Sequence, residues 1–424
     1  MNNFKIFKFD NGFKYLTIKN KSIQHCIILI LLGTGSVFEK KELSGISHYL
    51  EHMPFKGTKT YKNTSDLSYK FDSLGSEINA FTDREVTGYY IKINKKFSTE
   101  GLKILKDLVT KPLLRKTDIE QERNVILEEY RKGLDEPMHI LDELLHDTLF
   151  IGHQLSNSVI GTPKSIKHIK TKDIRKYHKK HYVLSNMSLA IIGNYPNQIH
   201  DDIKKYFNHK DKPYTYKQLD FTYNYKGSNV IYKEKLDQER TCISISFPTT
   251  HFNNSDRYVL ELIGTCLGGG MSSRLFTELR EKNSLVYNVS ADQITFYKGG
   301  YFEISTCVNE KNIDKAIDII LKEIDKLKTH KMNKKELVKC YNLIKGNTEI
   351  SSEDLNDIAE FYTYQLIYAN KVINYNTLFK KMKKITPDDI MNVANKYFNF
   401  KNIIILIYGK AKAKTLKRIK HMIK

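Results

Sequence analysis

The chain has 424 residues, of which 40% are hydrophobic and 28% charged, a composition typical of globular proteins and sufficient for two domains of ordinary size. Its formal net charge of +21 would suit an acidic partner, but the 69 Lys and Arg residues are spread along the whole chain. No arginine-rich arm, zinc knuckle or aromatic RNP-like run accompanies them, so we interpret the excess as solvated surface and expect no nucleic-acid partner.

The apolar runs and the cysteines bear on the compartment. The longest apolar runs, 26–32 and 403–408, have the length of strands, and the N-terminus lacks the apolar segment of a signal peptide, so we expect no membrane association. The cysteines are odd in number, far apart and without a CxxC pair, which indicates neither a disulfide framework nor a sulfur-ligated zinc. We therefore expect a cytoplasmic protein with the thiols of Cys26, Cys242, Cys266, Cys307 and Cys340 reduced.

The first half alternates strand and helix patterns. Asp-Asn-Gly at 10–12, between two alternating apolar stretches, predicts a β-hairpin, and CIILILLGTG at 26–35 predicts a buried strand. Helical patterns lie near 43–56, 65–74, 98–109 and 117–148, and a further strand pattern lies at 85–93. This mixture of strands and helices predicts an α+β fold.

The chain aligns with itself at a shift of 216 residues, which places 173–194 on 389–410 and Cys26 on Cys242. We therefore predict two homologous halves, 1–208 and 230–424, joined by a polar Tyr- and Lys-rich linker at 209–229. The halves are not equivalent, because the same shift places Gly264 opposite His48 and the stretch around it has no histidine. Only the first half can carry the chemistry of the histidine motif described next.

The motif HYLEH at 48–52 places two histidines four residues apart. On a helix capped by Ser44 or Ser47, both imidazoles lie on one face and can reach one ion. Glu51 shares that face and can act as a general base toward a metal-activated water without ligating the metal. The alternative is an ordinary amphipathic helix that carries histidines, and a third ligand would decide between the two.

The stretch IEQERNVILEEYRKG, residues 119–133, offers that third ligand on a second predicted helix. Glu122 and Glu129 are seven residues apart and share one face, whereas Glu128 points about 100° away from Glu129. One glutamate could ligate a metal while the other supports a ligating histidine. Without the histidines, the same stretch would be interpreted as a solvated acidic face.

HYLEHMPFKGT, ERNVILEEY and, in the second half, LGGGMSSRLFTELREKNSLVY resemble the pitrilysin/insulinase-type zinc metallopeptidases. The nearest likeness is to the single-chain bacterial processing peptidases related to the β subunit of mitochondrial processing peptidase, and it runs almost end to end. The resemblance implies that His48, His52 and Glu129 hold one Zn²⁺ per chain, with Glu51 as general base and Glu122 as the supporting acid. Glu128 is the alternative ligand if the register slips by one residue.

The resemblance also implies residues that bind substrate. Asn79, Ala80, Phe81 and Thr82 correspond to an edge strand along which the family pairs an extended peptide. Arg280 and Tyr287 correspond to residues of the second half that hold the substrate and the developing oxyanion. From the sequence alone, Arg280 would be a surface salt-bridge partner and Tyr287 a half-buried strand residue.

The fold implied by the resemblance is a clamshell of two halves, each a mostly antiparallel sheet packed with helices. The activity implied is that of a zinc metalloendopeptidase that cleaves peptides or unfolded segments inside an enclosed chamber. The alternative is a catalytically silent scaffold subunit of a processing-peptidase-like heterodimer. We expect a homodimer, or a heterodimer with an inactive homologue.

The chain departs from the family pattern at two places. Pro54 follows His52 by two residues and predicts that the helix ends or kinks just past the second histidine. Relatives that cleave presequences place acids downstream of the glutamate ligand to recognise arginine, and this chain has His139 and Glu143 there. A strict preference for arginine is therefore not expected.

Overall fold

A computed structural model of the chain describes residues 4–215, 220, 223, 229–369 and 371–423. Its strands are β1 (Lys5–Lys8), β2 (Lys14–Lys19), β3 (His25–Leu32), β4 (Glu77–Thr82), β5 (Thr87–Asn94), β6 (Met187–Gly193), β7 (Asn229–Glu234), β8 (Thr241–Pro248), β9 (Val286–Thr295), β10 (Gly300–Val308) and β11 (Ile404–Gly409).

The helices are α1 (Ile46–His52), α2 (Thr64–Ser73), α3 (Ser98–Thr110), α4 (Lys116–Gly133), α5 (Pro137–Leu149), α6 (Pro163–His168), α7 (Thr171–His181), α8 (Ile199–Phe207), α9 (Asp256–Gly268), α10 (Ile313–Thr329), α11 (Lys334–Ser351), α12 (Leu355–Tyr368), α13 (Tyr375–Met382), α14 (Pro387–Tyr397) and α15 (Ala413–Met422). A π-helix spans Phe276–Lys282. Among the described residues, no helix combines the length and the apolar character needed to cross a bilayer.

The strands form two sheets that are mostly antiparallel. The first has the order β1-β2-β6-β3-β5-β4, with a parallel pair β2·β6, and the second has the order β7-β11-β8-β10-β9, with a parallel pair β7·β11. The predicted α+β class, with two halves built on mostly antiparallel sheets, is confirmed, as is the hairpin between β1 and β2. The helical pattern at 117–148 is two helices, because α4 ends at Gly133 and Pro137 begins α5.

The first sheet is buried on both faces, which explains the continuous apolar run of β3. Cys26, Ile28 and Ile30 pack into the core formed with α1, α3 and α8. Ile27 and Leu29, on the opposite face, pack against α12. Alternate side chains of a strand point to opposite faces, so a strand covered on both sides has no polar alternation.

The compact units of the chain are not contiguous in sequence. The first unit comprises Met1–Lys132, Asn157–Leu219 and Ser351–Ile373, and the second comprises Gly133–Ser156, Asp220–Ile350 and Asn374–Lys424. These units differ from the contiguous halves 1–208 and 230–424, because α5 belongs to the second unit and α12 to the first. The predicted linker at 209–229 lies largely outside the described residues.

The elements follow the 216-residue shift of the sequence repeat. That shift carries β3 onto β8 and α7 onto α14, residue for residue. It also brings α5 onto the region of α12. The internal repeat therefore extends through both units, including the two helices that they exchange.

The second unit contains a disulfide bond between Cys242 and Cys307, 65 residues apart in sequence. The expectation that all five thiols are reduced is wrong for this pair, because Cys242 on β8 and Cys307 on β10 lie directly opposite each other across the antiparallel pair. Sequence spacing gives no sign of a pairing that is set by strand register. Cys26, Cys266 and Cys340 are free and buried.

Candidate metal centre

Helix α1 carries both histidines of the HYLEH motif and is positioned by a backbone turn. Gly45, just before the helix, has φ 92°, and a Cβ atom there would lie 2.5 Å from the carbonyl oxygen of Ile160. Only glycine accommodates both that backbone conformation and that close approach. The helix ends at His52 and continues as a 3₁₀ turn containing Pro54, which confirms the predicted effect of the proline.

The predicted caps of α1, Ser44 and Ser47, do not cap it. The hydroxyl of Ser44 donates to the carbonyl oxygen of Ser158 at 3.3 Å, and that of Ser47 lies 2.9 Å from the Tyr177 hydroxyl. The carboxyl group of Glu39 accepts the N–H groups of Gly45, just before the helix, and of Ser47 instead. Sequence reasoning missed Glu39, because it precedes the helix by several residues and reaches it only through the turn at Gly45.

His48, His52 and Glu129 meet at one point in the first unit, so the structure brings together the three predicted ligands. The Nε2 atoms of the two histidines are 3.3 Å apart. Oε2 of Glu129 lies 3.7 Å from Nε2 of His48 and 3.6 Å from Nε2 of His52. Glu128 is two-thirds exposed and is paired with Arg131. The geometry therefore favours Glu129 over Glu128.

The three donor atoms fit a zinc ion. A tetrahedral Zn²⁺ with ligands at about 2.0–2.2 Å places neighbouring donor atoms about 3.3–3.6 Å apart, close to the distances observed. Oε2 of Glu129 is also buried and accepts no hydrogen bond. A buried carboxylate oxygen without a partner is costly, so a cation between these atoms would satisfy it.

Glu122 fixes the orientation of His52. The buried carboxylate accepts a hydrogen bond from Nδ1 of His52 at 2.9 Å through one oxygen, and its other oxygen forms an ion pair with the ammonium group of Lys56 at 2.5 Å. With Nδ1 donating, the Nε2 lone pair of His52 faces His48 and Glu129. The predicted position of Glu122 beside a ligating histidine agrees with this contact, whereas no sequence pattern singles out Lys56.

The electrostatics of the site suit a neutral imidazole at His48 and a basic carboxylate at Glu51, whereas opposing effects act on His52. Burial, with the nearby imidazole of His52, lowers the pKa of His48 to about 3. Burial alone would lower the pKa of His52, but its hydrogen bond to Glu122 and the surrounding carboxylates raise it. Burial raises the pKa of Glu51, although the Thr82 hydroxyl and His52 oppose that shift.

The predicted substrate strand lies beside this centre in the first unit. Asn79–Thr82 form most of β4, which is an edge strand of the first sheet as the structure describes it. Thr82, at the end of β4, lies near enough to Glu51 to lower its pKa. An edge strand presents unpaired backbone groups that can pair with another extended chain.

Arg280 and Tyr287 contact each other in the second unit. The guanidinium of Arg280 donates to the carbonyl oxygen of Tyr287 at 3.0 Å and lies 5.0 Å from the centre of its ring. Arg280 belongs to the π-helix, and π-helical turns occur frequently at functional sites. Tyr287 is 71% exposed rather than half-buried, and its predicted role with substrate stays a prediction. His139 and Glu143 lie on α5, also in the second unit.

Two sequence models that describe domains of one peptidase family match the chain. The model described as "Insulinase (Peptidase family M16)" matches residues 14–163, and that described as "Peptidase M16 inactive domain" matches residues 168–343. A Rickettsia felis protein described as an "Uncharacterized zinc protease" is 29% identical over 399 residues, which cover 94% of this chain and 95% of that protein. These matches extend over well more than half of the chain.

Two further comparisons agree in fold and sequence. An Arabidopsis thaliana protein described as "Probable mitochondrial-processing peptidase subunit beta, mitochondrial" is 25% identical over 413 residues, covering 94% of this chain and 77% of that protein. The crystal structure of a protease from Helicobacter pylori superposes with a TM-score of 0.88 at 22% identity, covering 96% of this chain and all of that one. The predicted fold is thus that of the solved structure.

Proposed function

Since the chain belongs to peptidase family M16, the insulinase family, we propose that it is a zinc metalloendopeptidase that hydrolyses peptides or unfolded segments. The observation that carries the proposal is the convergence of His48, His52 and Glu129 on one point, with Glu51 on the helix that bears the two histidines. Relatives named as zinc proteases support a metallopeptidase. We propose one zinc ion per chain, held by these three residues.

When bound, zinc supplies Lewis-acid polarisation of a carbonyl group and lowers the pKa of water. The residues of the chain do the rest. The carboxylate of Glu51 accepts the proton of the attacking water and delivers it to the nitrogen of the leaving amine. Glu122 holds the ring of His52, and through its second oxygen it also holds the Lys56 ammonium group.

The substrate follows from the position of β4. A peptide that adds to this edge strand must be extended, so a folded protein does not fit. A backbone paired with β4 passes close to Glu51, because Thr82 ends the strand beside that carboxylate. We therefore assign Asn79, Ala80, Phe81 and Thr82 to backbone recognition. Arg280 and Tyr287 supply donors for a substrate carbonyl oxygen.

The proposal is tested by metal analysis and by hydrolysis of a quenched fluorogenic peptide library. The wild type should contain about one zinc per chain. Glu51→Gln should keep the metal and lose at least about 10²-fold in hydrolysis, the usual contribution of a general base. Glu42→Gln, an exposed glutamate outside the site, is the control and should be as active as wild type. A zinc-free wild type, or an active Glu51→Gln variant, would refute this assignment.

The second candidate is a catalytically silent scaffold subunit that pairs with an active homologue. The match of the second half to a domain described as inactive supports this only for that half, in which Gly264 stands opposite His48. His48, Glu51, His52 and Glu129 are all present in the first half, so we favour the enzyme. A zinc-loaded protein that hydrolyses none of the library peptides would favour the scaffold.

Assembly and compartment complete the proposal. We propose a homodimer, or a heterodimer with an inactive homologue, and this is decided by the mass of the purified protein in solution. A cytoplasmic location stays a prediction, and the Cys242–Cys307 bond bears on it, because disulfides are rare in reducing compartments. Counting free thiols in protein denatured without reductant should give three, and a count of five would contradict the Cys242–Cys307 bond.

A further inference from the structure

Glu39 is a buried carboxylate bound to the backbone of the helix that carries HYLEH. Its side chain is almost fully inaccessible. Oε2 accepts the N–H of Gly45 and Oε1 accepts the N–H of Ser47, each at 2.7 Å. Both oxygens are thus engaged with backbone donors at the start of α1, and burial raises the pKa of this carboxyl group to about 8.

The N–H groups of Gly45 and Ser47 do not have the acceptors that usually satisfy the start of a helix. The first N–H groups of a helix lack intrahelical acceptors, and α1 receives no hydrogen bond from its own N-cap side chain. Gly45 is in the left-handed conformation, which turns its N–H and that of Ser47 toward the same carboxylate. The backbone at Gly45 is also pressed against Ile160 and leaves little room for the turn to rearrange.

The position of α1 matters more than that of an average helix. It has seven residues, and these include His48, Glu51 and His52. The side chains of Tyr49 and Leu50 anchor the helix in the core. Ser47, whose N–H donates to Glu39, immediately precedes His48, so a change there moves the first histidine most directly. Metal ligands tolerate displacements of only about 0.2 Å.

We propose that Glu39 is a positioning residue for the metal centre, which sets the first turn of α1 so that His48 faces His52 and Glu129. This inference rests on the proposed metal site. It assigns Glu39 no contact with metal or substrate. Its effect should appear in metal affinity and in the local order of α1, rather than as a general loss of stability.

Glu39→Gln is the informative substitution. The amide has the shape of the carboxylate, but its NH₂ group must face one of two N–H donors, so one hydrogen bond is lost. We expect the affinity for zinc, measured by competition with a chelator on the folded full-length protein, to fall about 10- to 100-fold, the range for residues that orient ligands. Thr386→Ala removes the cap of α14 in the second unit and should leave zinc affinity unchanged.

Hydrogen exchange in chelated protein gives a second measurement that needs no metal. Glu39→Gln should raise exchange of the amides of α1 without a matching rise in α3. Glu39→Asp keeps a carboxyl group but is shorter and reaches only one donor. Because it places no NH₂ group against a backbone N–H, its zinc affinity should fall less than that of Glu39→Gln. If Glu39→Gln does not fold, Glu39→Asp is compared with wild type alone. Wild-type zinc affinity with unchanged exchange of α1 in the folded variants overturns the inference, whereas a zinc-free wild type overturns the proposed function.

Discussion

Replacing Glu122 by Gln tests whether the metal site depends on the contact that orients His52. Glu122 is buried; one of its oxygens accepts a hydrogen bond from Nδ1 of His52 at 2.9 Å, and the other forms an ion pair with Nζ of Lys56 at 2.5 Å. Burial opposes ionisation, but the hydrogen bonds from His52 and Lys56 lower the pKa of Glu122, so it is ionised at neutral pH. A glutamine has one acceptor oxygen and an NH₂ group, and it can satisfy only one of these donors.

The expected loss follows from the role of the contact. Removing the partner of a metal-ligating histidine costs 10- to 100-fold in metal affinity, which is about 1.4–2.7 kcal/mol. The Lys56 ammonium group would also lose its charged partner while largely shielded from solvent, so the metal-free protein should lose about 1–3 kcal/mol in its free energy of unfolding. We therefore expect Glu122→Gln to weaken zinc binding without abolishing it.

The assay is chelator competition at fixed pH with urea unfolding of the metal-free protein in parallel. Glu120→Gln is the matched control, because Glu120 lies on the same helix, is exposed and forms an ion pair with exposed Lys116 at 3.7 Å. An exposed pair of this kind contributes less than about 1 kcal/mol. Equal zinc affinities for Glu122→Gln and Glu120→Gln would show that the orientation of His52 does not depend on Glu122.

Three further predictions concern the register of the ligands, a buried carboxyl and the exchanged helix. Glu129→Gln should lower zinc affinity by more than about 100-fold, whereas exposed Glu128→Gln should not change it, and the reverse order would place the ligand one residue earlier. Burial, with Asp142 and Asp292 nearby, raises the pKa of Glu303 to about 7, so the folded protein keeps a proton that the unfolded chain loses near pH 4.3. The free energy of unfolding of the wild type should therefore fall as pH rises from about 4 to 7. Relative to wild type, that of Glu303→Gln should rise by about 1–3 kcal/mol between pH 4 and 8, measured by urea unfolding of the metal-free proteins. A difference between the two proteins that does not change with pH would contradict this. A fragment of residues 1–215 lacks α12, so Leu29 and the apolar face around it are left uncovered. This fragment should bind a hydrophobic dye. A soluble fragment that unfolds cooperatively and binds no dye would show that α12 is dispensable.

The sequence predicted the parts of the site that local spacing determines. Histidines four apart on a helix share a face wherever that helix lies, so His48 and His52 could be paired in advance. The glutamate was harder, because helical periodicity separates Glu128 from Glu129 but does not say which one faces the histidines. That choice came from the resemblance to a known family, and the distances to Glu129 agree with it.

The contacts that the sequence did not predict are those set by the tertiary fold. Glu39 reaches α1 because Gly45 turns the chain back toward it, and no periodic pattern encodes that return. Lys56 reaches Glu122 across 66 residues of sequence because the 3₁₀ turn that contains Pro54 and Lys56 lies near α4. Cys242 and Cys307 meet because β8 and β10 pair in one particular register.

The exchange of α5 and α12 follows from the duplication and from the apolar character of the strands. β3 is apolar on both faces, so each face of its sheet requires a cover, and the face lined by Ile27 and Leu29 is covered by α12 from the second half of the chain. The 216-residue shift takes α5 onto the region of α12, so the corresponding helix of the first half covers β8 and β11 in the same manner. A boundary drawn through 209–229 separates the two sequence repeats but cuts each sheet from one of its covers. Each sequence repeat is therefore continuous along the chain, whereas each compact unit combines most of one repeat with a helix from the other.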